Sequence, residues 1–182
     1  MRLAAAAGVS VPVVHSATGP DIRMAHVPGP TMLSDLIDHP DRAASHGRVL
    51  ADLHASLDHV RPRDGSDLRL VHGDLHPGNV VLSESGPVLL DWTNHRFAYR
   101  SLDLALTWLI LACFAPDPGD ASAPSGRVRC ALLESFLGAV DRSAAAAALD
   151  DAATIRRADP ATTAVEYIRI EQLRTAHRRR PG

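Results

Sequence analysis

Two carboxylates, an amide and two imidazoles fall in one short stretch, Val71-His72-Gly73-Asp74-Leu75-His76-Pro77-Gly78-Asn79, followed by Leu89-Leu90-Asp91-Trp92. Asp91 and Asn79 are hard oxygen donors of the kind that suits Mg²⁺ bridging phosphate oxygens. Asp74 has no obvious basic partner in the sequence around it. It is suited to accept a proton from a hydroxyl, or to orient one, as that hydroxyl attacks phosphorus. A loop of Gly, Pro, Asp and Asn is by itself only a turn; the second carboxylate downstream is what argues for chemistry. His72 reads as a structural histidine bonding loop backbone rather than a proton donor. His76 stays open between loop scaffold and active-site contact. A competing reading takes Gly73-Asp74-Leu75-His76 as the start of a metallophosphoesterase, but that chemistry needs further Asp, Asn and His ligand motifs, and none follows.

The flanking residues say how these groups come together. Leu68, Leu70 and Val71 lead in as an apolar run, and Val80-Val81-Leu82 leaves the loop as a strand. Ser83-Glu84-Ser85-Gly86 reads as a hairpin turn and Pro87 to Leu90 as the returning strand. A hairpin closes its ends on each other, so Asn79, just before it, and Asp91, just after it, are expected to be neighbours.

The order His-x-Asp-Leu-x-x-x-Asn, a hairpin and then Asp resembles the protein-kinase catalytic loop with its metal-binding Asp. With Gly73, His76 and Asn79 in place it is more similar to the aminoglycoside phosphotransferase family, which groups with choline/ethanolamine, fructosamine, homoserine and macrolide kinases. The resemblance implies an α+β, protein kinase-like fold: a mainly helical C-terminal lobe with a catalytic β-hairpin (30–182), preceded by a remnant of the N-terminal β lobe and hinge (1–29). It implies transfer of the ATP γ-phosphoryl group to a small-molecule hydroxyl. Asp74 would then be the catalytic base or hydroxyl-orienting residue, and Asn79 and Asp91 would hold Mg²⁺. His72, His76 and Asp103 would support the site. Matching Met24-Ala25-His26-Val27-Pro28-Gly29 to the family's hinge assigns the Ala25 C=O and Val27 N–H to the adenine edge, against the plain reading of an edge strand. Trp92 fits the family, whereas Thr93 replaces the Gly or Glu often found next. The helical region downstream is expected to supply the acceptor pocket, with Asp117, Asp120, Glu134, Glu166 and Glu171 as candidate acids.

Two phosphate-holding parts of a kinase are missing. No GxGxxG occurs, and all 19 residues of the Lys+Arg count are Arg. Arg23, near the hinge strand, is planar and bulkier than the Lys it would replace. The expectation is an N-terminally truncated member of the family with impaired phosphotransfer. The alternative from another class is a non-catalytic kinase-like fragment that binds a small molecule or a partner.

The remaining readings bound the function. Apolar content of 46% in 182 residues allows a sizeable core, and a formal charge of −2 argues against a general nucleic-acid or membrane-surface binder. No apolar run is long enough to span a membrane, and no secretory signal stands out, so a cytoplasmic location is expected. Cys113 and Cys130 both fall in apolar helical stretches and read as buried free thiols. Helices are expected from Arg2 to Ala7, from Thr31 to Ile37 and from Pro40 to about Val60. Leu50, Leu53, Leu57 and Val60 form the buried stripe of the third of these, with His54 as a packed core histidine. Further helices are expected from Ser101 to about Phe114, Arg127 to Val140, Ser143 to about Ala158 and Ala161 to about Arg179. Strands are expected at Val9 to Val14 and Ile22 to Val27. Thr93 to Arg100 and Pro116 to Gly126 read as irregular loops.

Overall fold

Helix α4 (Arg100–Cys113) is apolar on nearly every face, and the fold is built around it. Leu104, Ala105, Leu106, Trp108, Leu109, Leu111 and Cys113 are all buried. A helix apolar all round must be enclosed by others. α5 (Gly126–Ala139), α6 (Arg142–Ala147), α7 (Leu149–Ala158) and α8 (Ala164–Arg178) pack against it. α3 (Ala43–Leu57) lies along α5. Their contact is close because a Cβ at Gly47 would come within 2.5 Å of the Leu132 carbonyl oxygen; any larger side chain would push the helices apart. The computed structural model describes residues 1–114 and 123–178. Asp117, Asp120, most of the Pro116–Gly126 segment and Arg179 lie outside the described residues.

The predicted stripe of α3 is buried through Leu50, Leu53 and Leu57, and Val60 continues it in the coil beyond. A 3₁₀ turn at Pro40–Arg42 precedes α3, which ends at Leu57. The short helix α2 (Met32–Asp38) starts where its cap predicts: the Thr31 side chain accepts a hydrogen bond from the Ser34 N–H at 3.1 Å. Behind it, the buried Asp35 carboxylate accepts from Arg42 at 2.7 Å and pairs with His46 Nε2 at 2.6 Å, tying α2 to α3.

All strands pair antiparallel, two at a time. Val14–Thr18 (β1) and Asp21–Met24 (β2) form the first hairpin, after helix α1 (Arg2–Ala6). Arg69–Val71 (β3) pairs with Arg96–Ala98 (β6), and Val80–Ser83 (β4) with Gly86–Leu89 (β5). The β4–β5 hairpin is held on both edges. Leu89 N–H donates to the Ser10 carbonyl, and Leu82 N–H donates to the Pro30 carbonyl. Ala4 and Val9 are buried in the same hydrophobic cluster as the helices, so residues 1–29 share the core of the rest.

The structure corrects several local expectations. Val9–Val13 is not a strand; β1 begins at Val14, while Val9 and Val11 pack on the core, the Ser10 carbonyl docks on β5, and Val13 is exposed. Residues 93–100 are not wholly irregular, because 96–98 supply the partner that β3 needs. α4 begins at Arg100 rather than at Ser101, and no side chain caps it. The expected Ser143–Ala158 helix is two, broken at Ala148. Cys113 is buried but Cys130 is exposed, on the outer face of α5.

Candidate active site

The loop between β3 and β4 is held from beneath by one buried carboxylate. Asp103, 2% exposed in the first turn of α4, accepts hydrogen bonds from the backbone N–H of His72 at 3.0 Å and of Gly73 at 2.8 Å. His54 of α3 faces the same carboxylate with Nδ1 at 3.2 Å and Thr107 with Nε2 at 3.0 Å. Thr107 in turn donates to the Leu75 carbonyl at 2.8 Å. Burial alone would raise the Asp103 pKa, but His54 and the two N–H donors outweigh it and hold it below the usual carboxylate range. Gly73 is required here: its φ is +81°, and a Cβ would stand 2.6 Å from the Asn94 carbonyl oxygen.

His72 lies above this anchor. Its Nε2–H donates to the Leu90 carbonyl at 2.8 Å, joining the loop to the residue before Asp91, and its ring meets Trp92 edge-on at 5.0 Å. Burial lowers its pKa more than Asp103, the Leu90 carbonyl and Asp74 raise it. The ring therefore stays neutral at physiological pH, as suits a scaffold rather than a proton donor.

The loop presents Asp74 half-buried at its tip. Asn79 Nδ2 donates to the Asp74 carbonyl at 2.9 Å and to its Oδ2 at 3.3 Å. His76 Nε2 stands 3.6 Å from Oδ2, and Gly78 N–H donates to His76 Nδ1 at 3.1 Å. That last bond fixes the tautomer, placing the His76 proton on Nε2, toward Asp74. A basic partner that the local sequence does not show comes from α7: Arg156 Nη1 lies 3.8 Å from Asp74 Oδ1 and 2.9 Å from Asp159 Oδ2. Burial pushes the Asp74 pKa up, but His76 first and Arg156 after it hold it below its ordinary value. Asp74 is ionised at neutral pH, which suits it to align a hydroxyl.

The hairpin brings Asp91 beside Asn79, since Leu90 N–H donates to the Asn79 carbonyl at 2.8 Å. Asp91 is exposed and is the one non-glycine residue with positive φ, +50°, among the described residues. Asp tolerates this region better than most side chains, and such strain gathers at functional positions. Thr93, the departure noted in the sequence, turns the chain: its hydroxyl and N–H donate to Asp91 Oδ1 at 2.6 and 3.3 Å. These donors fit a hard divalent cation. Asn79 uses its amide N–H on Asp74, and its oxygen accepts no hydrogen bond among the described residues. Asp91 Oδ2 is likewise unengaged there. Two protein oxygens with the remaining positions left to phosphate and water is the usual provision for Mg²⁺. At the other end, Ala25 N–H donates to the Val13 carbonyl, while the Ala25 C=O and Val27 N–H enter no backbone hydrogen bond among the described residues.

A cavity of about 270 Å³ opens beside Asp74, lined by α2, α4, α5, α7 and the start of α8. Of the acids expected there, Glu166 lines it. Glu134 is on the surface near Arg142, and Glu171 pairs with Arg157 and Arg174. Asp159 and Arg156 line it too and were not read from the sequence. The one hint was position, since Asp159 falls in the gap between two expected helices. Thr107 was missed because a lone Thr in an apolar helix carries no signal.

No helix among the described residues is long and apolar enough to cross a membrane. No cluster of three or more His, Cys, Asp or Glu side chains among the described residues is placed to hold a metal.

Comparison with known proteins bears on the family and the fold. No curated protein matches the chain. Among solved structures, it is similar to amicoumacin kinase hAmiN in complex with AMP-PNP, Ca²⁺ and Ami, at 13% identity and a TM-score of 0.56, over 97% of this chain and 74% of that one. An aminoglycoside-3′-phosphotransferase of type VIII is 19% identical at a TM-score of 0.47, over 93% of this chain and 74% of that one. The first likeness shows the fold, which is protein kinase-like with a mainly helical lobe. The family model described as phosphotransferase enzyme family matches residues 1–125, which include the whole loop from His72 to Asp91. The chain, with Asp74, Asn79 and Asp91 gathered at one end of this fold, belongs to the phosphotransferase enzyme family.

Proposed function

We propose that the chain serves transfer of the ATP γ-phosphoryl group to a hydroxyl of a small molecule lodged in the cavity beside Asp74. The observation that carries this is the placement of Asp74 between that cavity and the Asn79–Asp91 pair. Asp74 aligns the acceptor hydroxyl and takes its proton as the oxygen attacks phosphorus. Asn79 and Asp91 would hold Mg²⁺, which neutralises charge on the phosphates when bound. The Ala25 C=O and Val27 N–H, which enter no backbone hydrogen bond among the described residues, support a role in seating the adenine edge. His72 and Asp103 support the loop that carries Asp74 from within the core, and His76, which lines the cavity, faces the Asp74 carboxylate.

The absence of any Lys favours a second reading for the isolated chain, that of a nucleotide-binding but weakly catalytic unit. Phosphoryl transfer depends mainly on positioning and preorganised charge. Losing one such charge costs about 3–4 kcal/mol, roughly a hundred- to thousand-fold in rate. The test follows Mn²⁺ binding with nucleotide present, and ATP consumption with candidate alcohols, in wild type, Asp91→Ala and Asp74→Ala. Cation binding should fall in Asp91→Ala and persist in Asp74→Ala, with turnover well below about 1 s⁻¹. Equal loss of cation in both variants would refute the role assignment. Turnover at an ordinary kinase rate would refute the impairment.

A further inference from the structure

Arg156 and Asp159 line a second cavity besides the one at Asp74, also of about 270 Å³. The rest of its wall comes from the loop at Gly73, from Asn94 and Arg96, and from the end of α7. Two guanidinium groups thus share this space with a single carboxylate. Arg156 gives Nη1 to Asp159 Oδ2 at 2.9 Å, and its Nε and Nη2 have no hydrogen-bond partner among the described residues. Asp159 spends its other oxygen on the Ala161 N–H at 2.9 Å. Asp74, 3.8 Å from Arg156, lines the first cavity and not this one. Arg96 has no acidic partner among the described residues. Its Nη1 donates to the Asn94 carbonyl at 3.5 Å, the outer limit for such a bond, and its Nη2 is enclosed without a partner. A guanidinium held partly out of water with no counter-charge is costly, and an anion beside it relieves that cost. The fold keeps Arg96 there, since β6 pairs it with Val71 at the entry to the catalytic loop.

We propose that this second cavity binds a phosphate group, held between Arg96 and Arg156. A tetrahedral oxyanion can accept from two guanidinium groups at once, which a carboxylate with two oxygens does less well. Binding displaces only the weak contact between Arg96 and the Asn94 carbonyl and leaves Arg156 on Asp159. Neither Asn79 nor Asp91 lines the cavity, so the site needs no metal ion and stands apart from the phosphotransferase reading. Free phosphate and a phosphate ester of a small molecule share this chemistry, and two probes separate them.

The experiment titrates the 182-residue chain by NMR with inorganic phosphate and with glycerol 1-phosphate. It is run in EDTA without nucleotide, at an ionic strength held constant with sodium chloride. Phosphate should shift the Asn94, Arg96 and Arg156 resonances saturably, with a Kd of about 10 mM or below. Arg96→Gln and Arg156→Gln, each once its melting curve shows it folded, should weaken phosphate roughly tenfold or more. Arg61→Gln, on the wall of a separate surface cavity, should leave it unchanged. No saturable shift up to about 50 mM, shifts centred on Asn79 and Asp91 instead, or full affinity in both Arg96→Gln and Arg156→Gln would overturn the proposal. Equal weakening in Arg61→Gln would also overturn it, because it would mean an adventitious ion only, drawn to a cationic surface. Glycerol 1-phosphate binding more tightly than phosphate would uphold the site with an organic phosphate as its ligand. Ester binding no tighter than phosphate would uphold it with the free anion.

Discussion

Asp74 is the residue on which two elements of the chain converge, and its ionisation measures how they do so. Its own loop supplies His76, while α7 supplies Arg156, eighty-two positions downstream. Both favour the carboxylate, His76 more than Arg156, against burial that opposes it. In an NMR titration of side-chain carboxyl carbons, Asp74 should therefore titrate at higher pH in Arg156→Gln than in wild type, and higher still in His76→Asn. An unchanged Asp74 titration in both variants would show that neither contact persists in solution. Asp74, Asn79 and Asp91 were legible in the sequence because their spacing around a hairpin is distinctive. Arg156 was not, because nothing local distinguishes it from the neighbouring Arg157, whose guanidinium instead lies over Tyr167. Only the packing of α7 against α4 decides which of the two reaches the site.

The loop between β3 and β4 owes its shape to α3 and α4 as much as to its own turn residues. Asp103 binds two of its backbone N–H groups, and Thr107 binds the Leu75 carbonyl one turn further along α4. His54 crosses from α3 to touch both. Removing one member leaves the others buried and unpaired. Asp103→Ala should cost about 3–5 kcal/mol of folding stability, as for other broken buried charge networks. Thr107→Val, nearly the same shape, should cost about 1–3 kcal/mol for the acceptor and donor it strands. Urea unfolding of both variants checks this, and losses below about 0.5 kcal/mol in each would mean that the network is not maintained. The apolar stripe of α3 was readable from its period alone, and so was the packed role of His54. The β3–β6 pairing was not, because a three-residue strand such as Arg96–Ala98 is too short to show alternation and is defined only by its partner. The break at Ala148 was equally silent, since alanine favours helix wherever packing allows it.

Across the whole molecule, the site's ionisable groups make stability depend on pH with a definite sign. His72 is held below its ordinary pKa of about 6.5. As pH falls through that value the unfolded chain takes up a proton that the folded chain resists, so stability is lost. Asp35, Asp74 and Asp103 are held below about 3.9, so their contribution is complete above that value and is lost as pH falls further. The urea midpoint should decline in two stages between pH 8 and 3, and the first stage should shrink in His72→Gln. A midpoint flat from pH 8 to 5 in wild type would contradict the burial of a neutral His72. The architecture as a whole was foreshadowed by the loop motif and by the run of helices after it. The cavity beside Asp74 was not, because apart from the loop itself it is assembled from one or two residues of each of five helices. The carboxylate beneath the loop also bears on how the molecule fluctuates. Loops ordinarily lose their amide protons to solvent through small local openings. The His72 and Gly73 amides instead point into the interior, onto a side chain that is itself enclosed by α3 and α4. In deuterium oxide these two loop amides should exchange as slowly as those of α4, being released only when the lobe unfolds as a unit, while the amides of 84–85 at the tip of the β4–β5 hairpin exchange within the experiment's dead time.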